Sequence, residues 1–363
     1  KMGEVLTNSQ VGGRRNMIIN GAMQVAQRGT SATDLGASDG YFTVDRFELN
    51  FSSTSARFTM TQDSPTDLPG FTKALKLDCT TADTSLSAGE YLILHHKLEG
   101  QDLQRLKKGT SDAEKFTISF YVKGNANATY TLEIEDVDNN RYNSQEFSVT
   151  TSWNRVVLTF DGDTTGVLDN DANSSFRINI WLFVGSNFTS GTHTDNVWHT
   201  TGTQRVGDNQ TSLADSTDRT FFLTGFQMEV GSQATPFEHR SLGEELDLCY
   251  RYYIKYHAGG SGTFSRMALG FMRTTTNLRA LFTFPREMRS TPSLDDDNAG
   301  NYHVEDASGN SDVDATVASI SQGGFQTCLV NFTTGSLTNN DPAHVGVNSS
   351  TDALLGLGFD AEL

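Results

Sequence analysis

Short runs in which apolar and polar residues alternate recur along most of this 363-residue chain. In residues 116–122, FTISFYV, the side chains of Phe116, Ile118 and Phe120 fall on one face and those of Thr117 and Ser119 on the other. Such alternation predicts antiparallel strands with one buried face. Comparable runs, separated by turns rich in Gly, Asn, Asp, Ser and Thr, occupy residues 45–51, 57–61, 75–79, 91–98, 130–134, 146–149, 155–160, 176–184 and 220–230.

About ten such strands, with no helical pattern between them to supply parallel crossovers, predict an all-β fold built as a jelly-roll β-sandwich. The β pattern resumes near residue 255 and continues to the end of the chain. We therefore expect an N-terminal extension at residues 1–13, a jelly-roll domain at residues 14–240 and a smaller C-terminal β-sandwich at residues 255–363.

Two short helices are expected among the strands. In residues 100–109, GQDLQRLKKG, Leu103 and Leu106 form one apolar stripe that a glycine ends. The second helix begins at Ser241, because Ser241 and Glu244 have the spacing of a capping box. It lies between the two β-rich regions, and residues 241–254 are therefore predicted to be a helical connector.

The excess of acidic residues limits the classes of partner. The chain carries 44 acidic and 27 basic side chains, which gives a formal net charge of −17. Binding to a nucleic-acid backbone requires a basic face, and anionic membrane surfaces repel the same negative charge. No apolar run approaches the ~20 residues of a membrane-spanning helix. We expect no nucleic-acid partner and no membrane insertion.

Metal and disulfide chemistry is sparse in the sequence. The three cysteines lie far apart, and no CxxC, HExxH or zinc-spaced Cys/His cluster is present. Residues 136–140, 161–163 and 169–173 are rich in Asp and Asn, whose oxygens are the ligands that calcium prefers. Asx turns that cap their own backbone also explain these stretches. We expect no cofactor, and calcium in the Asp-rich loops remains the open alternative.

No enzyme motif of the GxSxG, Walker or GxGxxG type is present. The best carboxylate pair for glycan hydrolysis is Glu133 and Glu135, followed by Asp136, in TLEIED. Alternate residues on one strand face lie about 7 Å apart, but any solvated strand face with two acids has this spacing. We expect a non-enzymatic protein, with a polysaccharide depolymerase as the alternative.

The placement of aromatic residues predicts a carbohydrate site. In residues 176–184, FRINIWLFV, one face is apolar, and Arg177, Asn179, Trp181 and Phe183 are predicted to share the other. Aromatic rings stack on sugar rings while polar neighbours bind the hydroxyls. Alternatively, a neighbouring loop or another subunit covers these aromatics. The predicted carbohydrate-binding residues of this strand are Trp181 and Phe183. Trp198 and His199, in the long loop of residues 185–218, and Tyr142, beside Arg141, are predicted to bind carbohydrate as well.

Several blocks of the sequence resemble a known class of proteins. They are RNMIINGAMQVAQRG (residues 15–29), DRF (45–47), SFYVKG (119–124), GFQMEVGSQATPFEHRSLGEELDLCYRYY (225–253) and FPREMRSTPSL (284–294). Together they resemble distal tail-fibre and related virion structural proteins of bacteriophages, particularly marine ones. The Asn20-Gly21-x-Met23 opening, with a late strand before ATPFE, is also similar to jelly-roll carbohydrate-binding modules.

The resemblance implies a virion appendage, located on a tail fibre or on the capsid surface. It further implies a homo-oligomer, most simply a homotrimer, that contacts host cell-surface glycan or lipopolysaccharide and other virion proteins. Attachment of this kind gains avidity from several weak sites. Because Lys1 precedes Met2, we expect the chain to be a C-terminal piece of a longer fibre. A purely structural capsid-decoration or tail-adaptor protein is the alternative.

Overall fold

The computed structural model describes residues 14–257, 263–296, 302–349 and 355–363. The chain divides between Glu245 and Leu246 into a larger unit and a smaller unit, Leu246–Glu362. This division falls within the only α-helix of the described residues, α1 (Leu242–Cys249). Across the described residues, no helix has both the length and the apolar character needed to cross a membrane.

The larger unit consists of two antiparallel sheets. The six-stranded sheet has the order β1-β3-β4-β11-β6-β9, and the five-stranded sheet has the order β2-β5-β10-β7-β8. The predicted all-β fold with a sandwich is confirmed. The strands are β1 (Ser31–Leu35), β2 (Glu48–Ser52), β3 (Arg57–Asp63), β4 (Ala74–Thr81), β5 (Tyr91–Glu99), β6 (Phe116–Gly124), β7 (Ala128–Asp136), β8 (Arg141–Val149), β9 (Asn154–Phe160), β10 (Ser174–Val184) and β11 (Thr220–Val230).

The core of the larger unit lies between its two sheets. Phe116 and Phe160 stack with ring centroids 5.3 Å apart, and Phe120 packs at 5.3 Å from Phe226. All four side chains are almost completely buried. Each such side chain contributes about 1.5–3 kcal/mol by leaving water. These rings belong to the six-stranded sheet. In the five-stranded sheet, Leu94, Leu132 and Ile178 face the same core, and the residues that alternate with them face away from it.

The predicted helix at residues 100–109 is replaced by two 3₁₀ turns, Gly100–Asp102 and Gln104–Leu106. Leu103 and Leu106 are both buried, because a spacing of three residues also places side chains on one face of a 3₁₀ turn. Lys107 then adopts the left-handed conformation with φ of 49° and ends the turn. Helix α1 does begin as predicted: the Ser241 amide donates to Glu244 Oε2 at 2.9 Å and the Glu244 amide to Ser241 Oγ at 3.3 Å.

The first and last parts of the larger unit are held together by hydrogen bonds. The Asn16 amide donates to Glu238 Oε2 at 2.7 Å, and the Arg240 guanidinium donates to the carbonyls of Ile18 and Asn16. The Asn20 side chain closes its own turn by accepting a hydrogen bond from the Val25 amide at 2.9 Å. Two of the sequence blocks that carry the resemblance are therefore scaffold.

The smaller unit contains a closed barrel of six strands, in the order β13-β14-β18-β17-β16-β19, and a three-stranded sheet, β12-β20-β15. The smaller unit is made of β-strands, as predicted. Six of these strands form a closed barrel, whereas the predicted β-sandwich would have left edge strands. Closure follows because β13 pairs with both β14 and β19. The strands are β12 (Tyr253–His257), β13 (Thr263–Thr274), β14 (Asn277–Thr283), β15 (Ser293–Asp296), β16 (Tyr302–Asp306), β17 (Ser311–Gly323), β18 (Thr327–Thr333), β19 (Pro342–Ser349) and β20 (Gly356–Asp360).

Candidate functional site

The outer face of the five-stranded sheet, which is turned away from the core, carries ordered rows of polar side chains. Strand β5 presents Tyr91, Ile93, His95 and Lys97 on this face by simple alternation. Cross-strand register then aligns Lys97 with Arg177 and Glu135, and it aligns His95 with Asn179 and Glu133. Residues facing each other across strands lie about 4.5–5.5 Å apart at Cβ, so each row is continuous.

The row formed by His95, Asn179 and Glu133 is joined by hydrogen bonds around Asn179. Its Nδ2 donates to Glu133 Oε2 at 2.9 Å and to Glu135 Oε2 at 3.0 Å. The Asn179 Oδ1 therefore faces His95 Nδ1, 2.6 Å away, and accepts a hydrogen bond from its N–H group. Burial, reinforced by the charges of Lys97 and Arg177, lowers the pKa of His95 to about 3. His95 is neutral at physiological pH and acts as a fixed donor.

Glu133 is completely buried and fully engaged. Arg205 donates through Nε to Glu133 Oε1 and through Nη2 to Oε2, both at 2.7 Å, and Trp181 Nε1 donates to Oε2 at 3.2 Å. Burial lowers the pKa of Arg205, but the attraction of Glu133 outweighs it, and the pKa is raised overall. Both carboxylate oxygens of Glu133 are thus held by cationic and indole donors.

Trp181 lies on the predicted outer face, but it is 0% exposed. The Arg205 guanidinium lies 5.1 Å from its ring centroid, and the Phe188 ring lies 5.1 Å away. Both residues belong to the long loop after β10, which folds back over this strand. The expected open platform is therefore corrected: a neighbouring loop covers Trp181, and the indole supports the site from beneath.

Phe183 does not share the outer face with Trp181, and that prediction is wrong. The pairing of β10 with β5 shifts register between Trp181 and Phe183, so the alternation changes phase there. Phe183 consequently points into the core, where it is fully buried and stacks on Phe58 at 6.1 Å. It has no surface to offer a ligand.

The other predicted residues divide between the outer face and the edge of the core. Tyr142 is on the outer face, is mostly buried, and stacks against the Arg205 guanidinium at 4.2 Å. His199 forms a β-bridge with Tyr142 through two backbone hydrogen bonds. Trp198 instead packs at the edge of the core, 6.2 Å from Phe176, and its Nε1 donates to the Asp161 carbonyl. The structure joins Trp181 to Tyr142 through Arg205, joins His199 to Tyr142 through the bridge, and places the Trp198 ring at the edge of the core.

A groove of about 270 Å³ remains open over β2, β5 and β10. Tyr91 and Phe188 are half-buried aromatic residues on its wall and meet edge to face at 5.5 Å. Sequence reasoning missed most of its lining, although the alternation in YLILHHK of β5 contained the signal for four residues. Among the predicted site residues, Trp181 lines the groove. The other lining residues are Glu48, Asn50, Tyr91, Ile93, His95, Lys97, Glu135, Arg177, Phe188 and Arg205.

Two of the Asp-rich stretches meet around a lysine. Lys108 Nζ lies 2.5 Å from Asp136 Oδ2 and 3.1 Å from Asp163 Oδ2, and it donates to the carbonyls of Thr165 and Gly166, both at 2.9 Å. Four oxygens thus surround an ammonium group where the sequence allowed calcium. Among the described residues, no group of three or more His, Cys, Asp or Glu side chains is placed to hold a metal ion.

The pKa values of the two aspartates around Lys108 diverge. Burial raises the pKa of Asp136 above its ordinary value despite the nearby ammonium. Burial also opposes ionisation of Asp163, but Arg141 donates to both of its oxygens, and the pKa is lowered overall. The Arg141 guanidinium, which pairs with Asp163 in addition to Lys108, accounts for the lower pKa of Asp163.

No family model matches the sequence, and no curated protein matches it. A family 4 carbohydrate-binding module is 11% identical, with a TM-score of 0.30 over 59% of this chain and 99% of that chain. A family 11 carbohydrate-binding module from Clostridium thermocellum, in complex with a β-1,3-1,4-mixed-linked tetrasaccharide, is 11% identical, with a TM-score of 0.29 over 58% of this chain and 97% of that chain.

The enzymatically active domain of tailspike protein 4 from bacteriophage CBA120 is 13% identical, with a TM-score of 0.29 over 60% of this chain and 21% of that chain. The structural neighbours are thus carbohydrate-binding modules and a phage tailspike domain. At these identities and TM-scores, the likeness carries no argument about what this chain binds or does.

Proposed function

We propose that the larger unit binds a saccharide chain in the groove over β2, β5 and β10. The observation that carries this proposal is that two aromatic side chains on one side of the groove, the aromatic wall, lie beside polar side chains held in place by hydrogen bonds, the polar floor. Tyr91 and Phe188 offer ring surface to the apolar face of a sugar, and His95 and Lys97 line the same groove. Saccharide sites combine these two features because sugars have both CH faces and hydroxyl edges.

The polar floor is preorganised. Asn179 ties His95 to Glu133 and Glu135, and Lys97 Nζ lies 2.6 Å from Glu48 Oε2. Side chains already held in place lose little conformational entropy when a ligand arrives. A shallow groove can therefore give modest affinity without large rearrangement.

We further propose that the protein is a phage virion appendage, on a tail fibre or on the capsid surface, that attaches the particle to host cell-surface glycan or lipopolysaccharide. The sequence blocks at residues 15–29 and 225–253 support this proposal. Attachment through several copies would raise avidity well above the affinity of a single groove. A homotrimer is the assembly proposed here.

An exposed apolar row on the smaller unit supports assembly. Leu269 of β13 is directly opposite Leu281 of β14, which is opposite Leu329 of β18. Leu269 is 74% exposed and Leu281 is 48% exposed. Adjacent exposed leucines mark protein-protein contact more often than isolated ones do. The same row would serve the alternative function, a capsid-decoration or tail-adaptor protein that binds another virion component.

We propose that the protein is not an enzyme and needs no cofactor. Glu133 is paired with Arg205, Glu135 also contacts Arg205 at 3.2 Å, and Asp136 is paired with Lys108. These pairs occupy the carboxylates on which the depolymerase alternative rests. Incubation with host envelope polysaccharide tests this point: release of new reducing ends would favour the depolymerase.

A glycan-binding screen with the full chain tests the saccharide proposal. The Tyr91→Ala variant should lose binding, because it removes one ring of the wall while leaving the core intact. Trp153→Ala is the matched control, since Trp153 is a half-buried aromatic that packs on Phe222 of the other sheet. Equal losses in both variants, or no saccharide ligand at all, would refute the groove as a saccharide site.

A further inference from the structure

Arg177 differs from the other two cations of the groove. Lys97 contacts a carboxylate oxygen of Glu48 at 2.6 Å, and Arg205 holds Glu133 at 2.7 Å. The nearest carboxylate oxygen to Arg177 is that of Glu135, at 3.9 Å, beyond hydrogen-bonding distance. Within the described parts of the chain, Arg177 is the groove cation without a close anionic partner.

The donors of Arg177 are also underused. Its Nε is buried and has no hydrogen-bond partner among the described residues, while the side chain as a whole is 36% exposed. Because this Nε is not accessible in the present position of the side chain, a ligand would reach the guanidinium through its exposed part. The guanidinium therefore offers open surface to the groove and has no close anionic partner among the described residues.

Register places a second positive charge beside Arg177. Lys97 is its direct cross-strand partner on β5, and like charges opposite each other destabilise a sheet. The carboxylate on the other side, Glu135, is shared with Asn179 and Arg205. An additional anion above this row would relieve the repulsion between Lys97 and Arg177.

From these contacts we infer that the groove selects saccharides that carry a carboxylate, such as hexuronate units, and that Arg177 binds this carboxylate. This inference rests on the proposed saccharide function. The planar guanidinium fork matches a carboxylate in two parallel hydrogen bonds. Tyr91 and Phe188 would contact the ring of the same or the next sugar, so charge and shape are recognised together.

Calorimetric titration of the full chain tests the inference with matched ligand pairs. Oligomers of galacturonate, mannuronate and glucuronate are each compared with the same oligomer after reduction of its carboxyl groups. At least one acidic oligomer should bind about tenfold or more tightly than its reduced counterpart, because the charge-assisted hydrogen bonds between its carboxylate and the guanidinium are lost on reduction. Arg177→Gln should abolish this preference.

One further variant separates the charge of Arg177 from its geometry, and a second serves as a control. Arg177→Lys keeps the charge but not the fork, and it should restore only part of the preference. Arg155→Gln is the control, because Arg155 is an exposed arginine on β9 of the other sheet. Circular dichroism and melting temperature confirm that each variant is folded.

The outcomes distinguish this inference from the proposed function. Equal binding of acidic and reduced oligomers, or a preference that survives Arg177→Gln, would overturn the role of Arg177 while the saccharide site stands. If a neutral oligosaccharide binds at Tyr91 and no acidic one does, the inference also fails alone. If no saccharide of either set binds, the proposed function itself fails.

Discussion

Arg205 and Glu133 form a bidentate ion pair across 72 residues of sequence, with both N–O distances at 2.7 Å. The pair fastens the long loop after β10 to the floor of the outer face. Arg205 also stacks between Tyr142 and Trp181, at 4.2 Å and 5.1 Å from the ring centroids. One arginine thus fixes both the loop and the rings beneath it.

Removing one partner of this pair should destabilise the larger unit. Arg205→Ala leaves the Glu133 carboxylate buried without its cation, and we expect a loss of about 3–5 kcal/mol in the free energy of unfolding. Urea denaturation followed by fluorescence measures this loss. Arg219→Ala is the control, because its partner Asp215 is exposed, and the expected cost is below about 1 kcal/mol. Similar costs for the two variants would contradict the prediction.

The alternation of residues predicted most strands, because burial on one face imposes a period of two. It also placed Trp181 on the outer face correctly. The fate of Phe183 was not predictable, since a bulge depends on how β10 pairs with β5 and not on β10 alone. A loop covering Trp181 was one of the two alternatives that the sequence left open. A non-periodic loop does not reveal its path, so which residues cover Trp181, and which carboxylate pairs with Arg205, could not be anticipated.

Two buried histidines should make the larger unit sensitive to acid. Burial lowers the pKa of His95 to about 3 and that of His96 well below its ordinary value. Both residues protonate in the unfolded state near pH 6.5, whereas the folded state keeps them neutral. Their contribution to stability is therefore complete above pH 6.5 and declines as the pH falls toward the folded-state values.

The slope of this decline is testable with His96→Leu. Each histidine should remove about 1.4 kcal/mol of stability per pH unit below its unfolded pKa. Between pH 6 and pH 4.5, the free energy of unfolding of the variant should therefore fall less steeply than that of the wild type, by about 1.4 kcal/mol per pH unit. Urea midpoints across this range provide the measurement, and an identical pH dependence in the two proteins would show that His96 protonates in the folded state.

Lys108 should act as a built-in substitute for a metal ion. In Lys108→Ala, the buried carboxylate of Asp136 loses its cation, and we expect a loss of about 3–5 kcal/mol. Calcium should then raise the melting temperature of the variant, because the vacated oxygens suit a hard cation. The wild type should show no such rise. Equal stabilisation of both proteins by calcium would mean that the ion binds elsewhere.

Salt should accelerate binding of an acidic saccharide. A net charge of −17 repels an anionic chain at long range, and salt shortens the Debye length from about 30 Å at 0.01 M to about 8 Å at 0.15 M. The association rate constant measured on an immobilised uronate polymer should rise over this range, and calcium that bridges carboxylates should add to it. A neutral oligosaccharide is the control, and a falling rate would show that attraction by the groove dominates at long range.

The exposed leucine row of the smaller unit should hold copies of the chain together. Light scattering should give a wild-type mass near three times the 39.7 kDa of one chain. Combining Leu269→Glu with Leu281→Glu should yield monomers, because each carboxylate would have to be desolvated in the interface. Val157→Glu is the control, since Val157 is 48% exposed on β9 of the larger unit. A monomeric wild type at high concentration, or a trimer that survives the double substitution, would rule out this row as the assembly surface.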